Sequence, residues 1–456
     1  MVIEKLYMLS YTITIGAIIV LVSTGIIYFH QRSHHSPRRG SNAKHTIKAQ
    51  EARGIIFGRK GPVYVYSPAA AEGHIFVCGG SGTGKTSALL IPSLRTWDGT
   101  SCTIDISGDI SANVVCDRKL VYAPCETSTV PYNVFAPIDA LETDADRTEA
   151  LNMLAWLIMP EEPNASANSA YFQNGGRAIL IASLIWGYHT GKDFIEICEA
   201  ITDNPYQTLF KCIDLSNDFA AKRYINQFEG SSENSIVGCK QNADRAVSLF
   251  STNARAKAAV RRPRPGEVAF SCNSIEDYNI FVKIPDAKLE VFAPLLHIIT
   301  SQVLNYLADR SADHTDPVLL ALDEFVSLGK LEITPALRKL RKKYVRIMIL
   351  TQSTADIDEL YGKTARMTMM NNFTYKVILS AGDTDSQRYF ADLIGMENRK
   401  KTSITSGSGW DGRTSSTTST ERAYIIEPAD LANLGNELVL LSPDGYEKLR
   451  KNFYFK

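Results

Sequence analysis

The chain contains 456 residues, and its 49 Lys and Arg residues balance 49 Asp and Glu residues, so its formal net charge is +0 at pH 7. This length predicts two or three domains, and the balanced charge excludes a protein that attracts nucleic acid through an overall basic field. The eight cysteines include no Cys-x-x-Cys pair, which argues against a zinc site or a secreted disulfide framework and indicates a reducing compartment.

The first predicted element is a membrane span. Residues 6–29 carry no charged side chain, and about 20 apolar residues are enough to cross a bilayer as a helix. Five Lys and Arg residues follow between positions 32 and 48, which predicts an outside N-terminus and a single-pass protein with the bulk of its chain in the cytoplasm. A cleaved signal peptide is the alternative, but its apolar region would be too long. We therefore predict a transmembrane anchor over residues 1–30 and a flexible basic juxtamembrane linker over 31–50.

A phosphate-binding loop is the next predicted feature. The pattern G-x-x-x-x-G-K-[ST] is matched by Gly79, Gly80, Ser81, Gly82, Thr83, Gly84, Lys85 and Thr86. An apolar strand pattern precedes these residues and a helical pattern follows them, which is the context that such a loop requires. The glycines let backbone N–H groups converge on phosphate, Lys85 reaches the β- and γ-phosphates, and Thr86 offers its hydroxyl to a metal. The predicted ligands are ATP and Mg²⁺.

The wider pattern predicts an α/β fold with a mainly parallel sheet. Short apolar strands alternate with helices around the phosphate loop, and such sheets bind ligands at the carboxyl ends of their strands. In the middle of the chain the strand signal nearly disappears, and helical periods dominate until a strand returns at 278–284. We therefore predict a nucleotide-binding domain in two parts, 51–138 and 267–456, separated by an all-helical insertion over 139–266.

A second group of candidate site residues follows two buried strands. The apolar run 317–322 ends at Asp323 and Glu324. In phosphate-loop NTPases an acidic residue here orders Mg²⁺, and a following Glu polarises the attacking water. We therefore predict that Asp323 and Thr86 bind Mg²⁺ and that Glu324 and Lys85 are catalytic. The next buried strand ends at Gln352, where a polar side chain is well placed to sense the γ-phosphate.

Two basic clusters raise the question of a DNA partner. They are Arg261-Arg262-Arg264 and the residues Arg338, Lys339, Arg341, Lys342, Lys343 and Arg346, which the pattern places around a helix over 333–344. Such clusters line a path for DNA phosphates or simply form solvated faces, and the sequence leaves both open. No base-reading motif occurs, so any DNA contact is predicted to be independent of sequence. The Ser/Thr-rich stretch 402–420 is predicted to be a mobile loop, and 442–445 a turn between the last two strands.

These motifs resemble the membrane-anchored coupling proteins of conjugative type IV secretion systems, which are RecA-like ATPases related to hexameric DNA translocases. The most specific match is Leu322-Asp323-Glu324-Phe325-Val326-Ser327-Leu328-Gly329, which follows the family's D-E-F-x-x-L-G pattern. Asp105-Ile106-Ser107-Gly108-Asp109 resembles the family's D-x-x-G-[ED] segment, and Tyr132-Asn133-Val134-Phe135 resembles its Tyr-Asn-Pro stretch. Val134 replaces the usual Pro, Ser107 replaces a usual Lys, and one span is visible where many members have two. The similarity extends from about residue 55 to the C-terminus.

The resemblance implies a RecA-like domain, a homo-hexamer and a set of partners. Arg341 and Gln352 match the family's Arg…Gln spacing, which implies that Arg341 completes the site of a neighbouring subunit. The implied function is to couple a relaxase–DNA substrate to a type IV secretion channel at the bacterial inner membrane and to drive DNA translocation by ATP hydrolysis. DNA, relaxase and relaxosome proteins and channel components are the implied partners. The alternative is an ATP-gated substrate receptor, or an assembly ATPase, that does not pump DNA.

Overall fold

The computed structural model describes residues 45–48, 52–161, 165–311, 313–406 and 414–455. The predicted transmembrane anchor lies outside these residues. The strands are β1 (His45–Lys48), β2 (Gly54–Lys60), β3 (Val63–Pro68), β4 (His74–Cys78), β5 (Thr100–Asp105), β6 (Lys119–Tyr122), β7 (Asn279–Lys283), β8 (Val318–Leu322), β9 (Val345–Thr351), β10 (Phe373–Ile378), β11 (Met396–Ser406), β12 (Thr414–Tyr424), β13 (Glu437–Ser442) and β14 (Gly445–Arg450).

Helices cover both faces of the sheet and fill the middle of the chain. The α-helices are α1 (Ile91–Thr96), α2 (Asp109–Asn113), α3 (Ala136–Asp139), α4 (Asp144–Ile158), α5 (Ala167–His189), α6 (Phe194–Asp203), α7 (Tyr206–Leu215), α8 (Phe219–Asn226), α9 (Glu233–Thr252), α10 (Ala254–Val260), α11 (Leu289–Asp309), α12 (Ile333–Leu340), α13 (Thr354–Tyr361), α14 (Lys363–Asn372) and α15 (Thr384–Ile394). A π-helical segment over Lys85–Leu90 leads directly into α1.

One large sheet organises the molecule. Among the described residues its twelve strands lie in the order β1-β3-β2-β14-β13-β10-β4-β9-β8-β5-β7-β6. Every neighbouring pair from β10 to β6 is parallel, whereas the pairs on the other side of β10 are antiparallel. The predicted α/β fold with a mainly parallel sheet is confirmed. Because β9 lies between β4 and β8, three carboxyl ends meet at one edge.

The parallel strands are apolar on both faces because both faces are covered. In β4, Phe76 and Cys78 belong to one core cluster, while Ile75 and Val77 belong to the other. The first cluster includes the apolar residues of α11, and the second includes those of α1. Among the described helices one segment, Asp286–Asp309, is long and apolar enough to cross a membrane. Its residues Leu295, Leu296, Ile298 and Ile299 are fully buried in the first cluster, as expected of a core helix.

The middle of the chain is helical and shares one continuous hydrophobic core with the sheet domain. Between β6 and β7 the described residues form helices α3 to α10, a short 3₁₀ helix over Cys272–Glu276 and one isolated bridge, between Tyr132 and Phe270. Tyr132 N–H donates to Ala259 O at 2.7 Å, and the rings of Tyr122, Tyr132 and Phe270 pack together. The Tyr132 hydroxyl donates to Gln302 of α11. The chain therefore leaves and re-enters the sheet at one place.

Arg346 does not belong to a basic surface, so that part of the cluster prediction is wrong. The expected helix over 333–344 ends at Leu340, and Arg346 lies in β9 with only 1% of its surface exposed. Its guanidinium donates to Gly73 O at 2.9 Å, and to Ser67 Oγ and Pro68 O at 3.0 Å. A buried cation is tolerated where fixed acceptors replace water. Arg346 therefore fastens the start of β9 to the segments before β4.

In its described residues, 402–406 and 414–420, the low-complexity stretch forms strands, so the prediction of a loop is wrong there. β11 and β12 pair in antiparallel register from Met396 opposite Tyr424 to Ser406 opposite Thr414, and residues 407–413 lie outside the described part. Threonine is a good strand former because its branched side chain suits a pleated surface, so a polar composition did not exclude a hairpin. β1 likewise falls within the predicted linker and pairs with β3. The predicted turn at 442–445 is confirmed between β13 and β14.

Replacing Arg346 by Ala should destabilise the protein by roughly 3 kcal/mol, because two buried carbonyls and a hydroxyl lose their donor. The free energy of unfolding in denaturant measures this change. Arg338→Ala is the matched control, since Arg338 is exposed on α12 and its loss should change stability by less than about 0.5 kcal/mol. Equal effects of the two substitutions would contradict the structural role of Arg346.

Candidate active site

The phosphate-binding loop is a tight turn held between three strands. Gly82 and Gly84 have φ values of 73° and 101°, in the left-handed region that glycine adopts without strain. Gly79 N–H donates to the carbonyl oxygen of Thr351 at 3.1 Å, at the end of β9. Gly80 N–H donates to Ser380 Oγ at 2.9 Å, just beyond β10. The predicted loop residues are thereby fixed at the carboxyl ends of β4, β9 and β10, with Ser81 and Gly82 exposed at the tip.

Lys85, Glu324 and Gln352 converge on this loop. Lys85 is 6% exposed, and its Nζ donates to Gly79 O at 2.8 Å and lies 3.6 Å from Glu324 Oε1. Glu324 follows β8 with a φ of 45°, a conformation that costs energy outside glycine. The amide of Gln352 donates to the Glu324 carboxylate at 3.3 to 3.4 Å. Three predicted catalytic residues from three strand ends thus form one connected group.

Asp323 and Thr86 provide the oxygen atoms that a hard cation requires. Thr86 Oγ1 donates to Asp323 Oδ2 at 3.5 Å. Asp323 is 4% exposed, and its Oδ1 is buried with no hydrogen-bond partner among the described residues. Burial, and then the charge of Glu324, raise the pKa of Asp323 to about 6, while Lys85 opposes the shift. A buried carboxylate with an unused oxygen beside a hydroxyl fits Mg²⁺.

The oxygen atoms of Thr86 and Asp323 would supply only part of the ligands that a metal ion needs. No group of three His, Cys, Asp or Glu residues suited to a metal occurs in the described part of the chain. Mg²⁺ keeps several waters and is usually held by one or two side chains together with substrate phosphates. Thr86 and Asp323 therefore fit a metal that arrives with a nucleotide.

Arg341 lies away from the rest of the site. It precedes β9, whereas Gln352 follows that strand, whose 7 residues extend about 20 Å. The Arg341 side chain is 47% exposed, and its Nε lies 3.3 Å from Glu72 Oε2. Within one chain the structure therefore does not bring Arg341 to Lys85. It lies at the opposite edge of the sheet, where β9 begins.

Asp105 and Ser380 have roles that the sequence motifs did not reveal. Asp105, from the D-x-x-G-[ED] match, accepts the N–H groups of Gly108, Ile110 and Ser111, so it shapes a turn beside β8. Ser380 fixes the phosphate-binding loop through Gly80. The available signal for Ser380 was a polar residue just after a buried strand, at the edge where the ligands of parallel sheets bind.

The basic residues are divided between structure and surface. Arg261 pairs with Glu267, whose oxygen also accepts from Arg264 N–H. Lys343 donates to a backbone carbonyl at the end of α11. Arg262, Arg338 and Lys339 are exposed.

Replacing Asp323 by Asn should stabilise the nucleotide-free protein while it abolishes Mg²⁺-dependent hydrolysis. Because the folded-state pKa is raised from 3.8 to about 6, the ionised carboxylate lowers stability as the pH rises through this interval, and the full cost applies above pH 6. The shift corresponds to about 3 kcal/mol at about 1.36 kcal/mol per unit. Unfolding free energies without Mg²⁺ should favour Asp323→Asn at pH 8, and the gain should shrink at pH 5.

Asp105→Asn is the matched control for this experiment. Asp105 is also buried, but its carboxylate accepts three N–H groups, so its loss should lower stability. A destabilising effect of Asp323→Asn at pH 8 would show that the Asp323 carboxylate is stabilised by partners rather than held ready for a cation.

Solved structures of conjugative coupling proteins share this fold. Bacterial conjugative coupling protein TrwBdeltaN70 superposes with a TM-score of 0.66 at 18% identity, covering 83% of this chain and 85% of that chain. Plasmid coupling protein TrwB in complex with the non-hydrolysable ATP analogue ADPNP gives a TM-score of 0.67 at 20% identity, covering 88% and 90%. The TrwB complex with ADP and Mg²⁺ gives 0.63 at 18% identity, covering 83% and 85%. At these identities the likeness concerns the fold.

Sequence comparisons extend the likeness along the chain. Protein VirD4 of Agrobacterium fabrum (strain C58) is 26% identical over 475 residues, covering 96% of this chain and 68% of the relative. Conjugal transfer protein TraG of the same organism is 21% identical over 432 residues, covering 90% and 64%. The profile of the family described as Type IV secretory system Conjugative DNA transfer matches residues 32–456. This chain therefore belongs to the type IV secretory system conjugative DNA transfer family.

Proposed function

We propose that this chain is an ATPase that couples a DNA substrate to a type IV secretion channel and drives DNA transfer during conjugation. The observation that carries the proposal is the convergence of Lys85, Thr86, Asp323, Glu324 and Gln352 at one sheet edge, in a chain whose family is defined by conjugative DNA transfer. The TrwB complexes with ADPNP and with ADP and Mg²⁺ support a nucleotide ligand for this fold.

The proposed chemistry assigns one task to each side chain. The N–H groups of the loop and the Lys85 ammonium bind the β- and γ-phosphates. Thr86 and Asp323 hold Mg²⁺, which neutralises phosphate charge when it is bound. Glu324 accepts a proton from the attacking water, and the Gln352 amide orients the Glu324 carboxylate through its hydrogen bond.

The active form is proposed to be a homo-hexamer in which Arg341 completes the neighbour's site. The exposure of Arg341 at the sheet edge opposite Lys85 supports a role between subunits. An arginine supplied across an interface stabilises the charge that develops on the transferred phosphoryl group. The pairing with Glu72 holds the Arg341 side chain at this edge.

The remaining partners follow from the family and from the organisation of the chain. The uncharged stretch 6–29 supports a single-pass anchor in the bacterial inner membrane, with the body in the cytoplasm. The helical part, with bounds proposed at 139–266, leaves and re-enters the sheet domain beside the Tyr132–Phe270 bridge and is suited to recruit relaxase and relaxosome proteins. Exposed basic residues would contact DNA phosphates without reading sequence.

Replacing Glu324 by Gln should leave ATP binding intact and lower turnover by at least about 10²-fold, because only proton acceptance is lost. ATP binding and hydrolysis, each with and without DNA, test the prediction. Lys85→Ala is the companion variant, which should lose binding as well, since the phosphate charge is no longer neutralised. Parent-like hydrolysis by Glu324→Gln would refute the assignment of the base. An ATPase that DNA does not stimulate would favour the receptor or assembly-ATPase alternative.

Subunits carrying Arg341→Ala should bind ATP normally yet depress the turnover of parent subunits in mixed rings. The reason is that each altered subunit removes an arginine from its neighbour's site. Turnover measured against the fraction of altered subunits should fall more steeply than in proportion. Arg338→Ala, which changes an exposed arginine near the end of α12, is the control and should leave mixed rings additive. A monomer with full DNA-stimulated activity would contradict both the ring and this role of Arg341.

A further inference from the structure

The segment that follows Glu324, residues 325–331, is short and tightly folded. It begins with a 3₁₀ helix, and the backbone of Glu324 before that helix is left-handed, with a φ of 45° and a ψ of 53°. A residue other than glycine keeps this conformation only where its surroundings fix it. Phe325 is fully buried, and Leu331 at the far end of the segment is 1% exposed. The direction of the Glu324 carboxylate therefore depends on what holds this segment.

Tyr361, the last residue of α13, contacts the segment at both of its ends. The Tyr361 ring stacks on the Phe325 ring, with 5.7 Å between the ring centroids and 5° between their planes. The Tyr361 hydroxyl oxygen accepts the Leu331 N–H at 2.9 Å. Buried backbone N–H groups require such an acceptor. One side chain thus fixes both the residue that follows Glu324 and the residue where the segment ends.

Helix α13 also joins Tyr361 to the group that contacts the Glu324 carboxylate. Gln352, whose amide donates to that carboxylate, lies just before the start of α13. The Thr354 N–H in the first turn donates to Ser386 Oγ of α15 at 2.9 Å, which anchors the helix. The two ends of α13 therefore hold Glu324 in different ways, through its carboxylate by Gln352 and through its backbone by Tyr361.

We infer that Tyr361 is a positioning residue for ATP hydrolysis, which holds the backbone that directs the Glu324 carboxylate toward the attacking water. The inference rests on the proposed function, in which Glu324 is the base. Because the contacts of Tyr361 with the segment are to Phe325 and Leu331, its loss should slow the chemical step and leave ATP binding unchanged. A fall in kcat at constant KM is the result expected when an interaction needed only in the transition state is lost.

The test is ATP hydrolysis by the full chain in Mg²⁺, in steady-state and single-turnover assays, together with the affinity for a non-hydrolysable ATP analogue. Tyr361→Phe keeps the stacked ring and removes the hydroxyl, so kcat should fall about fivefold, the rate equivalent of one neutral hydrogen bond. Tyr361→Leu removes the aromatic ring as well, and kcat should fall at least about tenfold. KM and the affinity for the analogue should stay at the parent values in both variants.

A second background separates positioning of the base from general support of the fold. In Glu324→Gln the residual turnover no longer uses the base, so adding Tyr361→Phe should cause no further loss. Tyr188→Phe is the matched control, because it also removes one tyrosine hydroxyl, which donates to Asp139 Oδ1 at 2.8 Å in the helical part of the chain. The kcat of this control should stay at the parent value.

Parent-like kcat in both Tyr361 variants would overturn the inference. An equal loss in the parent and Glu324→Gln backgrounds would also overturn it, since Tyr361 would then support the fold rather than the base, and so would a weakened affinity for the analogue. A failure of the proposed function gives a different result, namely parent-like hydrolysis by Glu324→Gln alone. If Tyr361→Leu does not fold, Tyr361→Phe decides the matter, because it keeps the ring in the core.

Discussion

The order β10-β4-β9-β8 is the constraint on which the candidate site depends. These strands are parallel, so their carboxyl ends meet at one edge, and the residues that follow them are brought together from positions far apart in the chain. The loop after β4 is then held by the Thr351 carbonyl on one side and the Ser380 hydroxyl on the other. Neither bond could form in a sheet of different order. Strand topology thus decides the geometry before any ligand contributes.

The same edge concentrates charge at a cost to stability. Asp323 is buried beside Glu324, and burial first, then the charge of Glu324, raise the pKa of its carboxyl to about 6. Lys85 offsets part of that cost, and the left-handed backbone at Glu324 adds local strain. A site with these properties is stabilised when a cation and a polyanion enter together. Strained and uncompensated groups of this kind are typical of functional sites.

At the opposite edge of the sheet, where β4 and β9 begin, buried hydrogen bonds hold the strands together. The buried His74 ring accepts Ile347 N–H through Nδ1 and donates to Leu337 O through Nε2, both at 2.9 Å. Burial lowers the pKa of His74 to about 3, so the ring stays neutral. Together with Arg346 it ties β4, β9 and α12 to one another. Arg341 extends from this fixed base toward solvent, which is the arrangement that its proposed role between subunits requires.

The sequence alone determined the local chemistry of this protein. The loop motif and the acidic pair could be predicted because each is a short pattern in which neighbouring residues do the work, and apolar runs identified the buried strands. Ser380 could not be predicted as a neighbour of the loop, because 300 residues separate it from Gly80 and only strand order brings them close.

Arg346 and the β11–β12 hairpin show that amino-acid composition does not predict burial or strand pairing. Charge predicted an exposed Arg346, and the Ser/Thr content of 402–420 predicted a loop. The tertiary structure instead provides buried acceptors for that guanidinium and a partner strand for that segment. Burial and pairing are properties of what lies opposite a residue, and the sequence of a segment does not contain its partner. For that reason the tertiary structure alone decided which basic residues remain on the surface.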